Sequence, residues 1–121
     1  MSYPPQGGGA GGISYKKEGE GSLVADGTEQ TVFDITKKKP FKGYLWIDVS
    51  AMTVLDGIII TEYVQKSAAD PLQKFTSTII LGTQVAPMMS TFEKILGYRH
   101  KLTLQQTVGT LKTFPWQYLS G

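Results

Sequence analysis

The strongest constraint on this chain is its punctuation. Apolar residues come in strand-sized pieces, never in a long helical period, and turn residues separate them at regular intervals. Asp26-Gly27, Asp56-Gly57 and Asp70-Pro71 are turn signals, and so is Gly109 between Val108 and Thr110. The segments between them are rich in β-branched and aromatic residues, the types that suit a pleated, half-buried surface. The stretch "GYLWIDVS" (43–50) is the clearest case. Its alternation puts Leu45, Ile47 and Val49 on one face and Tyr44, Trp46 and Asp48 on the other.

The same pattern continues along the chain. Residues 13–15 open a first strand that Gly19-Glu20-Gly21-Ser22 breaks, and 22–25 form a second short piece. Further strands are expected over 30–35, 43–50, 58–65 and 73–81, the last with Phe75, Ser77, Ile79 and Leu81 on one side. Residues 88–93 are ambiguous between strand and helical turn, and 93–96 read as a short strand. "YRHKLTLQQT" and "LKTFPWQYL" flank Gly109 as the two arms of a hairpin. Phe114, Trp116 and Tyr118 share one face of the last strand, which Pro115 should confine to a sheet edge or a bulge. Roughly eight strands with regular turns predict an all-β fold, an antiparallel, jelly-roll-like β-sandwich. No βαβ alternation supports a parallel nucleotide-binding sheet.

The first twelve residues, "MSYPPQGGGAGG", stand apart. Glycine makes them a flexible coil when free, and Pro4-Pro5 favours a short extended segment. Residues 1–12 are therefore expected to be an N-terminal arm, and 13–121 a single β-sandwich domain. A chain of 121 residues suffices for one domain with a modest core.

Composition narrows the function. Charged residues make up 18% of the chain, where about 25% is usual for a soluble domain. A surface so poor in charge points to partial coverage by something else. A net charge of +2 argues against a dedicated nucleic-acid binder. There is no cysteine, so disulfides and cysteine-based zinc sites are excluded. Neither a signal-peptide pattern nor an apolar run long enough for a membrane helix is seen. Release by lysis or within a particle is the expected route out of a cell.

A catalytic set is hard to assemble. The single histidine, His100, lies between Arg99 and Lys101, and reads as an ordinary strand or rim histidine. No nucleophile-elbow sequence accompanies it. Glu18 and Glu20 sit among lysines and glycines and read as a solvated loop. Asp26, Asp56 and Asp70 occupy turn positions, where aspartate bonds its own backbone. "GGGAGG" lacks the Lys-Ser/Thr of a phosphate loop. Lys37, Lys38 and Lys39, with Lys42, form a basic cluster that reads as a solvated connection between strands. No catalytic residue, cofactor or metal is expected.

The stretch "GYLWIDVSAMTVLDGIIITEYV", followed by "FEKILGYRHKLTLQQTVGTLKTFPWQYL", resembles small β-sandwich proteins encoded among the structural genes of tailed phages and archaeal viruses. The matching residues are Tyr98, 101–107, Gly109, Thr110, Lys112, Phe114 and Trp116, together with 56–60. About half the chain is covered, and the arm lies outside it. The resemblance implies a virion structural protein (capsid, minor capsid or decoration) and implies no catalytic residues. Such a protein would be a homo-oligomer located in the virion, with other virion proteins as partners. The expected subunit contacts are the arm (Tyr3, Pro4, Pro5, Gly8, Gly12) and a C-terminal aromatic edge (Phe114, Trp116, Tyr118). The arm is expected to lie as a strap on a neighbouring subunit, glycine allowing close backbone approach. The alternative is an extracellular or cell-surface carbohydrate-binding or adhesin-like module. In it, exposed Trp46, Tyr63 or Trp116 would stack on sugar rings beside Gln and Asp partners.

Overall fold

Two antiparallel sheets pack face to face, and nearly every connection crosses from one to the other. A computed structural model describes residues 15–85, 88–90 and 94–121, the side chains of 88–90, 94 and 95 excepted. The strands are β1 (Lys16–Val24), β2 (Gln30–Thr36), β3 (Phe41–Asp48), β4 (Gly57–Gln65), β5 (Gln73–Leu81), β6 (Met88–Ser90), β7 (Lys94–Leu96), β8 (Arg99–Val108) and β9 (Thr113–Ser120). Seven have seven or more residues, and β6 and β7 have three each. One sheet runs β1-β9-β3-β6, with β7 also on β3; the other runs β2-β8-β4-β5.

β6 and β7 pair with successive parts of β3, at Trp46–Asp48 and Phe41–Gly43. They act as one interrupted strand. Each sheet then has four members, and successive strands change sheet everywhere except at the β4–β5 hairpin. That is the strand order of an eight-stranded jelly roll. The expected all-β sandwich is the fold observed.

Two expectations about the C-terminus are corrected. β8 and β9 do not form a hairpin. β8 pairs with β2 and β4, β9 with β1 and β3, and the turn between them carries the chain across the sandwich. Gly109 does supply the positive φ, at 93°. Gln106 then holds the crossing: its amide donates to the carbonyls of Val108 and Thr110 and accepts from the Lys112 N–H. Nor is β9 an edge, since it lies between β1 and β3. Pro115 is tolerated because the β3 ladder ends at Ile47↔Trp116, one residue before it.

β1 is likewise continuous through Gly19-Glu20-Gly21. Side chains at Gly19 and Gly21 would meet the Trp116 indole, so the glycines leave the room that ring occupies. The arm residues Tyr3, Pro4, Pro5, Gly8 and Gly12, and the strand start at Ile13, lie outside the described residues. Of the ambiguous 88–93 stretch, 88–90 are strand.

The core follows from alternation. Leu23, Leu45, Ile47, Phe114 and Tyr118 of one sheet meet Phe33, Ile58, Ile60, Leu102 and Leu104 of the other in one cluster. Each such side chain contributes roughly 1.5–3 kcal/mol by leaving water. A β-bulge lets β2 bury two consecutive residues: Thr31 opposes Thr103 and Phe33 opposes Leu102, so Val32 is the extra residue. A second bulge, between Lys17 and Gly19, turns Glu18 out of the ladder.

Candidate functional site

Three places concentrate chemistry: a polar chain inside the sandwich, and the two outer faces. The inner chain begins at Glu62 on β4 and His100 on β8. Both occupy inward positions, two residues from Ile60 and Leu102 respectively. His100 Nε2 lies 3.0 Å from Glu62 Oε2, and Nδ1 lies 2.8 Å from the Tyr118 hydroxyl on the opposite sheet. The imidazole thus bridges a carboxyl group on its own sheet and a hydroxyl on the other, each of its ring nitrogens having one partner. Phe33 covers the pair, its ring centroid 4.0 Å from Tyr118 and 5.0 Å from His100. Gly43 makes the contact possible, because a Cβ there would overlap the Tyr118 hydroxyl. Burial, and then the charges of Glu18 and Glu62, push the Tyr118 hydroxyl to a raised pKa, so it stays protonated.

His100 is thus a strand residue, as expected, but lies buried between the sheets rather than at the rim. Arg99 and Lys101 point to the other face, as strand alternation requires; Arg99 binds Asp34 through Nε at 2.7 Å and Nη2 at 2.6 Å. Because His100 and Tyr118 are completely buried, the chain has no access to substrate. It pins one sheet to the other.

Phe114 and Tyr118 are correspondingly corrected as contact residues. Both are fully buried in the sandwich core and cannot form a subunit surface. Trp116 packs partly against that core and borders the outer groove described below. Glu18 is also no solvated loop residue. It is a half-buried member of β1 that binds Lys37 Nζ at 2.6 Å and the Ser120 hydroxyl. The Lys37 hydrogen bond leads in holding its carboxyl below the usual range. The basic cluster is therefore divided: Lys37 is committed to Glu18 and lies over the Phe41 ring, while Lys38 and Lys39 are exposed. Asp26, Asp56 and Asp70 do serve turns, accepting from Thr28, Thr53 and Ser67. Asp56 is buried and also meets Lys112 Nζ at 3.0 Å. Among the described residues, no three His, Asp or Glu side chains converge as metal ligands.

The outer face of the β1-β9-β3 sheet carries a groove of about 360 Å³ bordered by Glu20, Trp46, Asp48, Pro115, Trp116 and Gln117. Register explains it. Gln117 lies opposite Glu20 on one side and Trp46 on the other, making a single row across three strands. Trp46 is 36% exposed and is steadied by Tyr44, ring centroids 5.5 Å apart. Asp48 Oδ1 accepts from the Ser50 N–H at 2.8 Å, and hydrogen bonding by Ser50 holds its carboxyl below the usual range.

The other outer face is different. Edge strand β5 exposes Phe75, Ile79 and Leu81 by 58%, 66% and 67%. Next to them, Glu29 accepts from Tyr63 at 2.7 Å and Thr103 at 2.6 Å, tying the β1–β2 loop to the sheet. Tyr63 is poorly placed for stacking on sugars, because its hydroxyl is committed and Lys101 Nζ sits 5.5 Å from its ring centre. Glu62 and Gly43 were missed from sequence. The signal for Glu62 was a charged residue in the inward series Ile58, Ile60, Glu62; nothing local marked Gly43.

No protein-family model matches the chain, nor does any curated protein or any solved structure.

Proposed function

We propose that this protein is a structural component of a virion, a capsid, minor capsid or decoration protein, that works by assembling with copies of itself and with other virion proteins. The observation that carries the reading is strand β5. It is a sheet edge whose outward residues Phe75, Ile79 and Leu81 are more than half exposed. An edge strand is a template for pairing with another chain, and monomers usually blunt it with charge, proline or a bulge; β5 has a bulge at Phe75, but its pairing with β4 is regular from Thr76 to Leu81, where Ile79 and Leu81 are exposed. Here Lys74 is the one charged residue in β5. Jelly-roll order and a low fraction of charge fit the same role.

The contact surface proposed from the sequence changes accordingly. β5 replaces the C-terminal aromatics, and the arm leading into β1 remains a proposed strap. Light scattering tests the reading. The expected result is an oligomer that Ile79→Lys converts to monomer with its fold intact, and that deletion of residues 1–12 weakens. A protein that is monomeric at every concentration rules out the assembly role. Absence of the chain from purified particles rules out the virion.

A further inference from the structure

The outer groove on the β1-β9-β3 sheet differs in kind from the β5 edge, and nothing about assembly requires it. We propose that it binds an uncharged saccharide, with one pyranose ring stacked on Trp46 and its hydroxyls bonded to Asp48 and Gln117. Glu20, Gln117 and Trp46 form one row across three paired strands, and Pro115 and Asp48 stand two residues further along β9 and β3 on the same face. All five side chains are thereby fixed to a hydrogen-bonded sheet rather than to a loop. A site on paired strands holds its geometry without paying to order itself on binding.

The chemistry follows from what each residue offers. The Trp46 indole, 36% exposed and with the Tyr44 ring centred 5.5 Å away, offers the groove an apolar aromatic surface with a negative quadrupole. The axial C–H face of a pyranose is flat, apolar and slightly positive, so the two surfaces complement each other. Pro115 adds a second apolar residue to the lining. Around it stand a carboxylate that only accepts and a carboxamide that both donates and accepts. Sugar hydroxyls need both kinds of partner.

Charge decides between a sugar and a cation. Two carboxylates beside a tryptophan would suit an ammonium group, but Glu20 is already paired with Lys17, Nζ to Oε1 at 3.2 Å. Among the described residues, that leaves Asp48 as the carboxylate of the groove without an ion-pair partner, with one oxygen engaged by Ser50. A single partly engaged carboxylate is weak bait for a cation and ample for hydroxyls. The same charge disfavours sialylated or sulfated glycans. A groove of about 360 Å³ on an open sheet fits a short stretch of oligosaccharide rather than an enclosed small molecule.

The test uses the full-length protein on an array of neutral and acidic oligosaccharides, followed by titration of the best neutral glycan against intrinsic tryptophan fluorescence. Binding to a neutral oligosaccharide is expected. Trp46→Ala should weaken it by about tenfold or more, a change of about 1.4 kcal/mol or more. Trp46→Phe should retain part of the affinity, and Asp48→Asn should reduce it. Ile79→Lys, on the opposite face, should leave it unchanged, which separates this site from the assembly surface. Circular dichroism checks that each variant is folded. No neutral glycan bound, or an affinity indifferent to Trp46→Ala, overturns the proposal. So does tighter binding of tetramethylammonium or a trimethyl-lysine peptide than of any sugar.

Discussion

The Tyr118–His100 contact yields a prediction with a magnitude attached. In the wild type, the Tyr118 hydroxyl passes over Gly43 to reach Nδ1 of a completely buried imidazole. Tyr118→Phe removes one oxygen, opens no large cavity and leaves that nitrogen without its partner. An orphaned buried polar atom costs about 1–3 kcal/mol. Gly43→Ala acts on the same space from the other side, because the new Cβ would overlap the hydroxyl. Overpacking of this kind costs about 1–3 kcal/mol, less the roughly 0.5–1 kcal/mol that alanine recovers over glycine in a strand. The two effects share an atom and are therefore not independent. In the Tyr118→Phe background the overlap with oxygen is gone, although the ring carbon Cζ still lies 2.9 Å from the new Cβ. The double variant should be less destabilised than the sum of the singles by about 0.5–3 kcal/mol. Urea unfolding at one protein concentration, followed by tryptophan fluorescence, measures all four proteins; fixed concentration matters because self-association feeds into stability. Additivity within about 0.5 kcal/mol would refute the claim that Gly43 exists to admit the hydroxyl.

Other perturbations follow from the same structure. Gly27 and Gly109 both have positive φ, 89° and 93°, but space is open at Gly27 and filled by Asp56 at Gly109. Gly27→Ala should therefore cost only the backbone term of about 1–2 kcal/mol, and Gly109→Ala clearly more, read as a lower urea midpoint. Acid should destabilise the fold through Glu18 and Asp34, whose carboxyls lie below their ordinary values of 4.5 and 3.8 because of Lys37 and Arg99 hydrogen bonds. Between the folded and ordinary values the unfolded chain binds more protons, so stability rises with pH there. It is fully present above the ordinary values and lost as pH falls through the folded ones. Urea midpoints across the acid range check this, and a midpoint that rises on acidification contradicts it. Asp34→Asn, which breaks a pair about one-third exposed on each side, should cost no more than about 1 kcal/mol by the same assay.

Local patterns were readable because they depend on neighbours in the chain. β2, β3, β4 and β5 fall within a residue or two of their expected bounds, and the two faces of β3 are as alternation requires. The glycines of β1 misled, since a glycine that breaks a strand and one that makes room for an indole look alike in sequence. His100 read correctly as a strand residue, but its burial was hidden for a related reason. Its cationic neighbours are adjacent in the chain but face the other way, while its partners Glu62 and Tyr118 are 38 and 18 residues distant.

Sequence alone determined that this chain is all-β and where β2 to β5 lie, because turn chemistry and a two-residue period act over a few residues. Only the tertiary structure decided which strands are neighbours. Placing β9 between β1 and β3 turned Phe114 and Tyr118 from an expected contact edge into core. The same placement set Glu20, Gln117 and Trp46 in one row on the outer face. Strand order is settled by how two whole sheets bury their apolar faces together, a sum over the entire chain that no short segment contains.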